Sequence, residues 1–156
     1  MRPINSIIIH CSATRVDEDL TEQQLEAAHI ARGLSECGFH YYVRYSGLVV
    51  SMRDLDTVGE HCPGHDEGSV GICYEGGVNC FGEPADTRSF HQKCSIRALI
   101  RCLQSDFPNC HIYGCRELST YFNCNGKIHR DSYEKLSPCY SVAAEFYPPY
   151  IRPEWR

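Results

Sequence analysis

The chain has 156 residues, of which 42% are hydrophobic and 22% are charged, which is typical of a globular protein. The net charge is −5 and there is no run of lysine or arginine, so we expect no binding to nucleic acid. No stretch approaches the roughly 18 apolar residues that span a bilayer, so we expect no membrane contact. The N-terminus lacks the apolar core of a secretory signal, and we therefore expect a cytoplasmic chain.

Cysteine is unusually frequent, with eleven residues in the chain. The number is odd, the residues are scattered, and no two of them form a C-x-x-C motif. Without a secretory signal, this pattern favours reduced thiols that mostly pack as small hydrophobic side chains.

The first predicted element is a buried strand, because residues 7–9 are three consecutive isoleucines. His10 follows where this strand should end, and a histidine held by a buried strand is well placed to bind a metal. A structural histidine in the core is the alternative. Further on, Thr21 and Gln24 form a capping-box pattern that predicts a helix ending at Gly33.

A β-hairpin is predicted next, with strands over residues 39–45 and 48–53 joined by a turn at Ser46-Gly47. Residues 69–75 then predict a further strand, which ends in a tight turn at Gly76-Gly77. Both segments are rich in the residue types that favour strands.

A second capping-box pattern, Ser89 with Gln92, predicts a helix that ends near Phe107-Pro108. A short strand over residues 110–115 and a short helix that begins at Asp131 complete the pattern. The order of these elements predicts an α/β fold with a mixed central sheet flanked by helices. We expect a single domain over residues 1–156, with a core at about 4–145 and a tail at 146–156.

Six short motifs occur in one order along the chain and give it a family resemblance. They make the chain similar to the type 2 N-acetylmuramoyl-L-alanine amidases, which include phage lysozyme-like amidases and peptidoglycan recognition proteins. The motifs are residues 8–14, 38–41, 59–61, 69–77, 114–119 and 137–140.

The resemblance implies a zinc hydrolase that cuts the amide between the lactyl group of muramic acid and the first L-alanine of the stem peptide. In that family, zinc is bound by two histidines and a cysteine, and a fourth position remains for water. A tyrosine and a lysine help to stabilise the oxyanion.

Three positions of this chain match the zinc ligands of the family, and two of them are substituted. His10 matches the first histidine. Cys115 stands at the second histidine, and Ser137 stands at the cysteine. Cys139, two residues further on, is a possible replacement ligand if its loop shifts.

The other functional positions match the family in part. Lys135 matches the lysine, whereas Phe39 stands at the tyrosine and keeps the ring without the hydroxyl. His61 matches a histidine of the groove, and His29 matches the residue beside a family tryptophan. Glu75, beside the Gly-Gly turn, is a further candidate for contact with substrate. A polar residue at a strand end, without a role in the groove, is the alternative.

These substitutions predict weak zinc binding or none, because a neutral serine hydroxyl is a poor ligand for zinc. Two thiolates, if Cys139 joined, would make the metal a poorer Lewis acid. We therefore expect a monomer that binds a peptidoglycan muropeptide in a groove, with zinc-dependent hydrolysis impaired or lost. The alternative is an active zinc amidase that lyses cell wall, as a phage- or prophage-encoded protein would after release. Binding of a protein partner is a third class, without a sequence feature in its favour.

Overall fold

The computed structural model describes residues 1–118 and 137–147, which form seven strands and three helices. The strands are β1 (Ser6–Cys11), β2 (Thr14–Arg15), β3 (Tyr41–Val43), β4 (Val49–Ser51), β5 (Ser69–Tyr74), β6 (Gly77–Val78) and β7 (His111–Gly114). The helices in these ranges are α1 (Glu22–Ala31), α2 (Phe90–Asp106) and α3 (Val142–Phe146), with a 3-10 turn at Cys115–Glu117.

Five strands form one mixed sheet in the order β4-β3-β5-β1-β7. Strands β3, β5, β1 and β7 pair in parallel, and β4 pairs antiparallel with β3 as the returning strand of the hairpin. The prediction of an α/β fold with a mixed central sheet is confirmed.

The two capping boxes set the starts of the long helices. The Thr21 hydroxyl accepts a hydrogen bond from the backbone N–H of Gln24, whose side chain accepts one from the N–H of Thr21. Ser89 and Gln92 make the same reciprocal pair at the start of α2. Each cap satisfies helix N–H groups that otherwise have no partner, and contributes about 1 kcal/mol to stability.

The core lies on both faces of β1, whose isoleucines are fully buried. Ile7 and Ile9 pack in the cluster that includes the buried side of α2. Ile8 points to the opposite face, where it meets Cys62 and Cys115. Because both faces of β1 are covered, its end and the side chains there are positioned by the core.

Two features differ from the sequence prediction. The Gly76-Gly77 segment turns, but Gly77 also begins β6, which pairs with Thr14 in a separate two-stranded sheet. The φ angle of Gly77 is +98°, which a residue with a side chain rarely adopts. Helix α3 was not predicted, and the helix predicted to begin at Asp131 falls outside the described residues.

In the described part of the chain, no helix has the length and apolarity needed to cross a membrane.

Candidate functional site

The candidate site is a cavity of about 210 Å³ at the edge of the sheet where the parallel strands end. Ligand sites in sheets of this kind usually lie beyond the carboxyl ends of the strands. Six of the residues predicted from the sequence line this cavity: His10, His29, Phe39, His61, Cys115 and Ser137.

The sheet register brings His10 and Cys115 to the same place. Ile9 pairs with Gly114 in the parallel ladder between β1 and β7. His10 is the next residue of β1, and Cys115 directly follows the end of β7, where the 3-10 turn begins. Both residues line the cavity. Two residues that are distant in sequence therefore meet because their strands are neighbours.

Ser137 reaches the cavity through a loop that packs on the end of β7. A Cβ added to Gly114 would lie 2.9 Å from Cδ of Pro138, so glycine leaves room for the proline. The carbonyl of Ser137 accepts a hydrogen bond of 2.7 Å from the N–H of Arg116. The Ser137 hydroxyl accepts one of 2.8 Å from the N–H of Cys11.

Two buried histidines are hydrogen-bonded to each other at the cavity wall. Nε2 of His10 lies 2.9 Å from Nδ1 of His61, so one nitrogen donates and the other accepts. Burial lowers the pKa of His10 well below its usual value, and the neighbouring His61 lowers it further. Burial also lowers the pKa of His61 to about 4. Both imidazoles are therefore neutral at pH 7.

Aromatic rings enclose this pair of histidines on one side. The ring of Phe39 lies 5.0 Å from the ring of His10 and 5.3 Å from the ring of His29, measured between centroids. Nδ1 of His29 accepts a hydrogen bond of 2.8 Å from the N–H of Gly38, which fixes the segment that carries Phe39. Phe39 therefore stands at the wall as an apolar ring.

Two pairs of thiols lie near the site. Sγ of Cys115 is 3.8 Å from Sγ of Cys62, and both residues are buried. Sγ of Cys139 is 3.9 Å from Sγ of Cys11 and 3.4 Å from the carbonyl oxygen of Gly77. A hydrogen bond from Cys139 lowers the pKa of the Cys11 thiol to about 7. The structure thus directs Cys139 to Cys11, and Cys139 is not among the residues that line the cavity.

Glu75 lies outside this cavity, contrary to the expectation from its place beside the turn. Its carboxylate accepts hydrogen bonds from the Arg44 guanidinium and from the N–H groups of Leu20 and Tyr45. It lines a separate and much smaller cavity. Lys135, the predicted oxyanion lysine, lies outside the described residues.

Two charged wall residues, and one cysteine behind the wall, were not singled out by sequence reasoning. Arg32, at the end of α1, and Glu60, in the loop before His61, line the cavity. Cys62 contacts Cys115 behind the wall. A charged residue in a helix end or a polar loop is usually solvated, so no local signal could have selected these residues.

The side chains brought together here do not fit the requirements of a catalytic zinc ion. Within residues 1–118 and 137–147, no three His, Cys, Asp or Glu side chains are grouped so that they could hold a metal. His10 and Cys115 are of suitable type, but the third position offers the neutral hydroxyl of Ser137, which already accepts a hydrogen bond. A catalytic zinc site normally has three protein ligands and one open position.

The chain matches known proteins over most of its length. The family model described as N-acetylmuramoyl-L-alanine amidase matches residues 1–138. The endolysin of Enterobacteria phage K11 is 30% identical over 104 residues, which is 67% of this chain and 69% of the phage protein.

Solved structures give the same result for the fold. The amidase LysC from Clostridium intestinale superposes with a TM-score of 0.65 at 29% identity, over 74% of this chain and 72% of LysC. A human peptidoglycan recognition protein, PGRP-IβC, solved in complex with glycosamyl muramyl pentapeptide, gives 0.63 at 21% identity, over 75% of this chain and 74% of that protein. This last likeness concerns the fold alone.

The motif order, the mixed sheet and the cavity at the end of β1 agree with these matches. The chain belongs to the N-acetylmuramoyl-L-alanine amidase family.

Proposed function

We propose that this chain binds a peptidoglycan muropeptide in the cavity at the end of β1, and that zinc-dependent hydrolysis of the muropeptide amide is impaired or lost. The observation that carries the proposal is the set of side chains at the three ligand positions. They are an imidazole, a thiol and a neutral hydroxyl, at His10, Cys115 and Ser137. Zinc would lack one of the three strong ligands of a catalytic site.

The existing contacts of these side chains support the same conclusion. Nε2 of His10 is hydrogen-bonded to His61, and the Ser137 hydroxyl is hydrogen-bonded to the N–H of Cys11. The Ser137 bond stabilises the loop that forms this part of the wall. A metal that recruited Ser137 would disturb this bond, at a cost of about 1 kcal/mol.

Phe39 is a second reason to expect slow hydrolysis. The resemblance places a tyrosine here, whose hydroxyl would donate to the oxyanion. The ring of Phe39 keeps the contact with His10 but offers no donor. Loss of one such donor costs about 3 kcal/mol of transition-state stabilisation, or roughly a hundredfold in rate.

The shape and chemistry of the cavity support binding without turnover. The wall combines apolar groups, such as Leu25 and Phe39, with the guanidinium of Arg32 and the carboxylate of Glu60. Sugar rings pack on apolar groups, and the carboxylates and amines of a stem peptide match the two charges. The human relative solved with a muramyl pentapeptide uses the same fold to hold this class of ligand. The phage endolysin relative supports a phage-encoded protein that is released to the cell wall.

The proposal is tested by measuring binding and cleavage on one preparation. Calorimetry with a soluble muramyl pentapeptide should give saturable binding by the wild-type chain, with and without added zinc. Arg32→Ala should weaken binding about tenfold, whereas Arg101→Ala, which removes an exposed arginine of α2 away from the cavity, should leave it unchanged.

Cleavage is followed on purified peptidoglycan by chromatography of the released stem peptides. We expect release no greater than that of a buffer control when zinc is supplied. Absence of binding would overturn the recognition function, and zinc-dependent release at the rate of an active family member would overturn the loss of hydrolysis.

A further inference from the structure

Two thiols at the edge of the cavity are already in van der Waals contact. Sγ of Cys11 lies 3.9 Å from Sγ of Cys139, although the residues are 128 positions apart. Both residues are only partly buried, in contrast to the cysteines of the core. A disulfide needs an S–S distance of about 2.0 Å, so the two sulfurs must approach each other by about 2 Å.

The backbone around this pair leaves room for the two sulfurs. A Cβ added to Gly77 would lie 2.5 Å from Sγ of Cys11 and 3.7 Å from Sγ of Cys139, so any larger residue would separate the thiols. The φ angle of Cys139 is +69°, in a region that residues with a side chain rarely adopt. This conformation places Sγ of Cys139 where it bonds to the carbonyl of Gly77 and contacts Cys11.

The same segment carries a wall residue of the cavity. Ser137, two positions before Cys139, accepts a hydrogen bond from the N–H of Cys11. A covalent bond between Cys11 and Cys139 would therefore fix the Ser137 loop to the end of β1, next to His10.

The geometry points to Cys11 and Cys139 as an oxidisable pair that forms an intramolecular disulfide with a small-molecule disulfide such as oxidised glutathione. One protein thiolate attacks a sulfur of glutathione disulfide, which forms a mixed disulfide and releases one glutathione thiol. The second protein thiolate attacks the protein sulfur of the mixed disulfide and releases the second glutathione. Two protein thiols lose two electrons and two protons, and one small-molecule disulfide is reduced to two thiols.

A second thiol pair in the same chain provides an internal comparison. Cys62 and Cys115 lie 3.8 Å apart, but Cys62 is fully buried and Cys115 is 3% exposed. Because exchange requires access of the oxidant to a thiolate, Cys11 and Cys139 should oxidise first. The two pairs are almost equally close, so distance alone predicts no order of oxidation. Earlier oxidation of Cys11 and Cys139 would show that exposure to the oxidant sets the order.

The experiment uses the full chain with the exposed cysteines Cys80, Cys94 and Cys102, and also Cys124, which lies outside the described residues, replaced by serine. The reduced protein is incubated with oxidised glutathione, quenched with an alkylating agent at intervals, digested and mapped by mass spectrometry. We expect a cross-linked peptide that joins Cys11 to Cys139 before any that joins Cys62 to Cys115.

Two measurements complete the test. The oxidised protein should melt about 5 °C or more above the reduced protein, because the bond closes a long loop of the unfolded chain. Cys139→Ser should abolish both the cross-link and this shift, and Cys62→Ser should leave both intact. Stable glutathione adducts on Cys11 or Cys139 without a cross-link, or earlier linkage of Cys62 to Cys115, would overturn the inference.

Discussion

Nε2 of His10 lies 2.9 Å from Nδ1 of His61, and both imidazoles are buried at the wall of the cavity. The histidine that the resemblance assigns to a metal is thus hydrogen-bonded within the protein. Its partner, His61, lies in the loop after β4. In the sequence, only the family motif indicates that this loop belongs to the groove. This hydrogen bond holds the two neutral imidazoles against each other at the cavity wall.

Acid should destabilise the fold through this pair. The pKa of His61 is about 6.5 in an unfolded chain and falls to about 4 in the folded protein because of burial. A lowered pKa in the folded state means that the unfolded chain binds the proton more tightly. The contribution of neutral His61 to stability is therefore fully present above pH 6.5 and is lost as the pH falls towards 4. At about 1.4 kcal/mol per pKa unit, His61 alone accounts for about 3 kcal/mol.

Urea unfolding followed between pH 7.5 and 4 by circular dichroism measures this effect. His91→Gln, which alters an exposed histidine of α2, should keep the same pH dependence. A free energy of unfolding that stays constant across this range would contradict the burial of neutral imidazoles.

Glu75→Gln should lower stability by about 3 kcal/mol. The Glu75 side chain is 4% exposed and accepts hydrogen bonds from Arg44 and from two backbone N–H groups. The substitution removes a buried ion pair and places the NH₂ group of glutamine against groups that are themselves donors. Glu83→Gln, at an exposed position, is the matched control and should change stability by less than about 0.5 kcal/mol. Urea unfolding of both variants measures the change in the free energy of unfolding. Equal changes in the two variants would show that the contacts of Glu75 do not stabilise the fold.

Gly71→Ala should disturb the histidine pair directly. A Cβ at Gly71 would lie 2.6 Å from Cδ2 of the buried His61 ring, which has no room to retreat. We expect a loss of about 2 kcal/mol and altered ring signals of both His10 and His61 in NMR spectra. Gly68→Ala is the control, because its Cβ would meet the movable end of the Asn5 side chain. Unchanged imidazole signals in Gly71→Ala would contradict the packing described here.

The sequence predicted those features that depend on local pattern. The isoleucine run of β1, the hairpin at Ser46-Gly47 and the two capping boxes lie where their residue types favour them. The place of His10 at the end of a buried strand followed from the same reasoning.

Other features depend on contacts between distant segments, which no local pattern encodes. Glu75 was a candidate for the groove, with a polar strand end as the alternative. Pairing of β3 with β5 brings Arg44 beside it, and the two residues form an internal ion pair. Contact of Cys139 with Cys11 depends on the turn at Gly77 and on the loop after Ser137. Such contacts cannot be inferred from the order of residues along the chain alone.

We expect the residues at three cavity positions, Cys115, Ser137 and Phe39, to limit hydrolysis. The decisive variant combines Cys115→His, Ser137→Cys and Phe39→Tyr, and Cys80→His with Ser95→Cys serves as the control. Zinc per chain and stem-peptide release from purified peptidoglycan are measured for both and for the wild type. We predict about one bound zinc and clear zinc-dependent release in the triple variant only. Equally strong release by the wild type would show that these three positions do not limit hydrolysis.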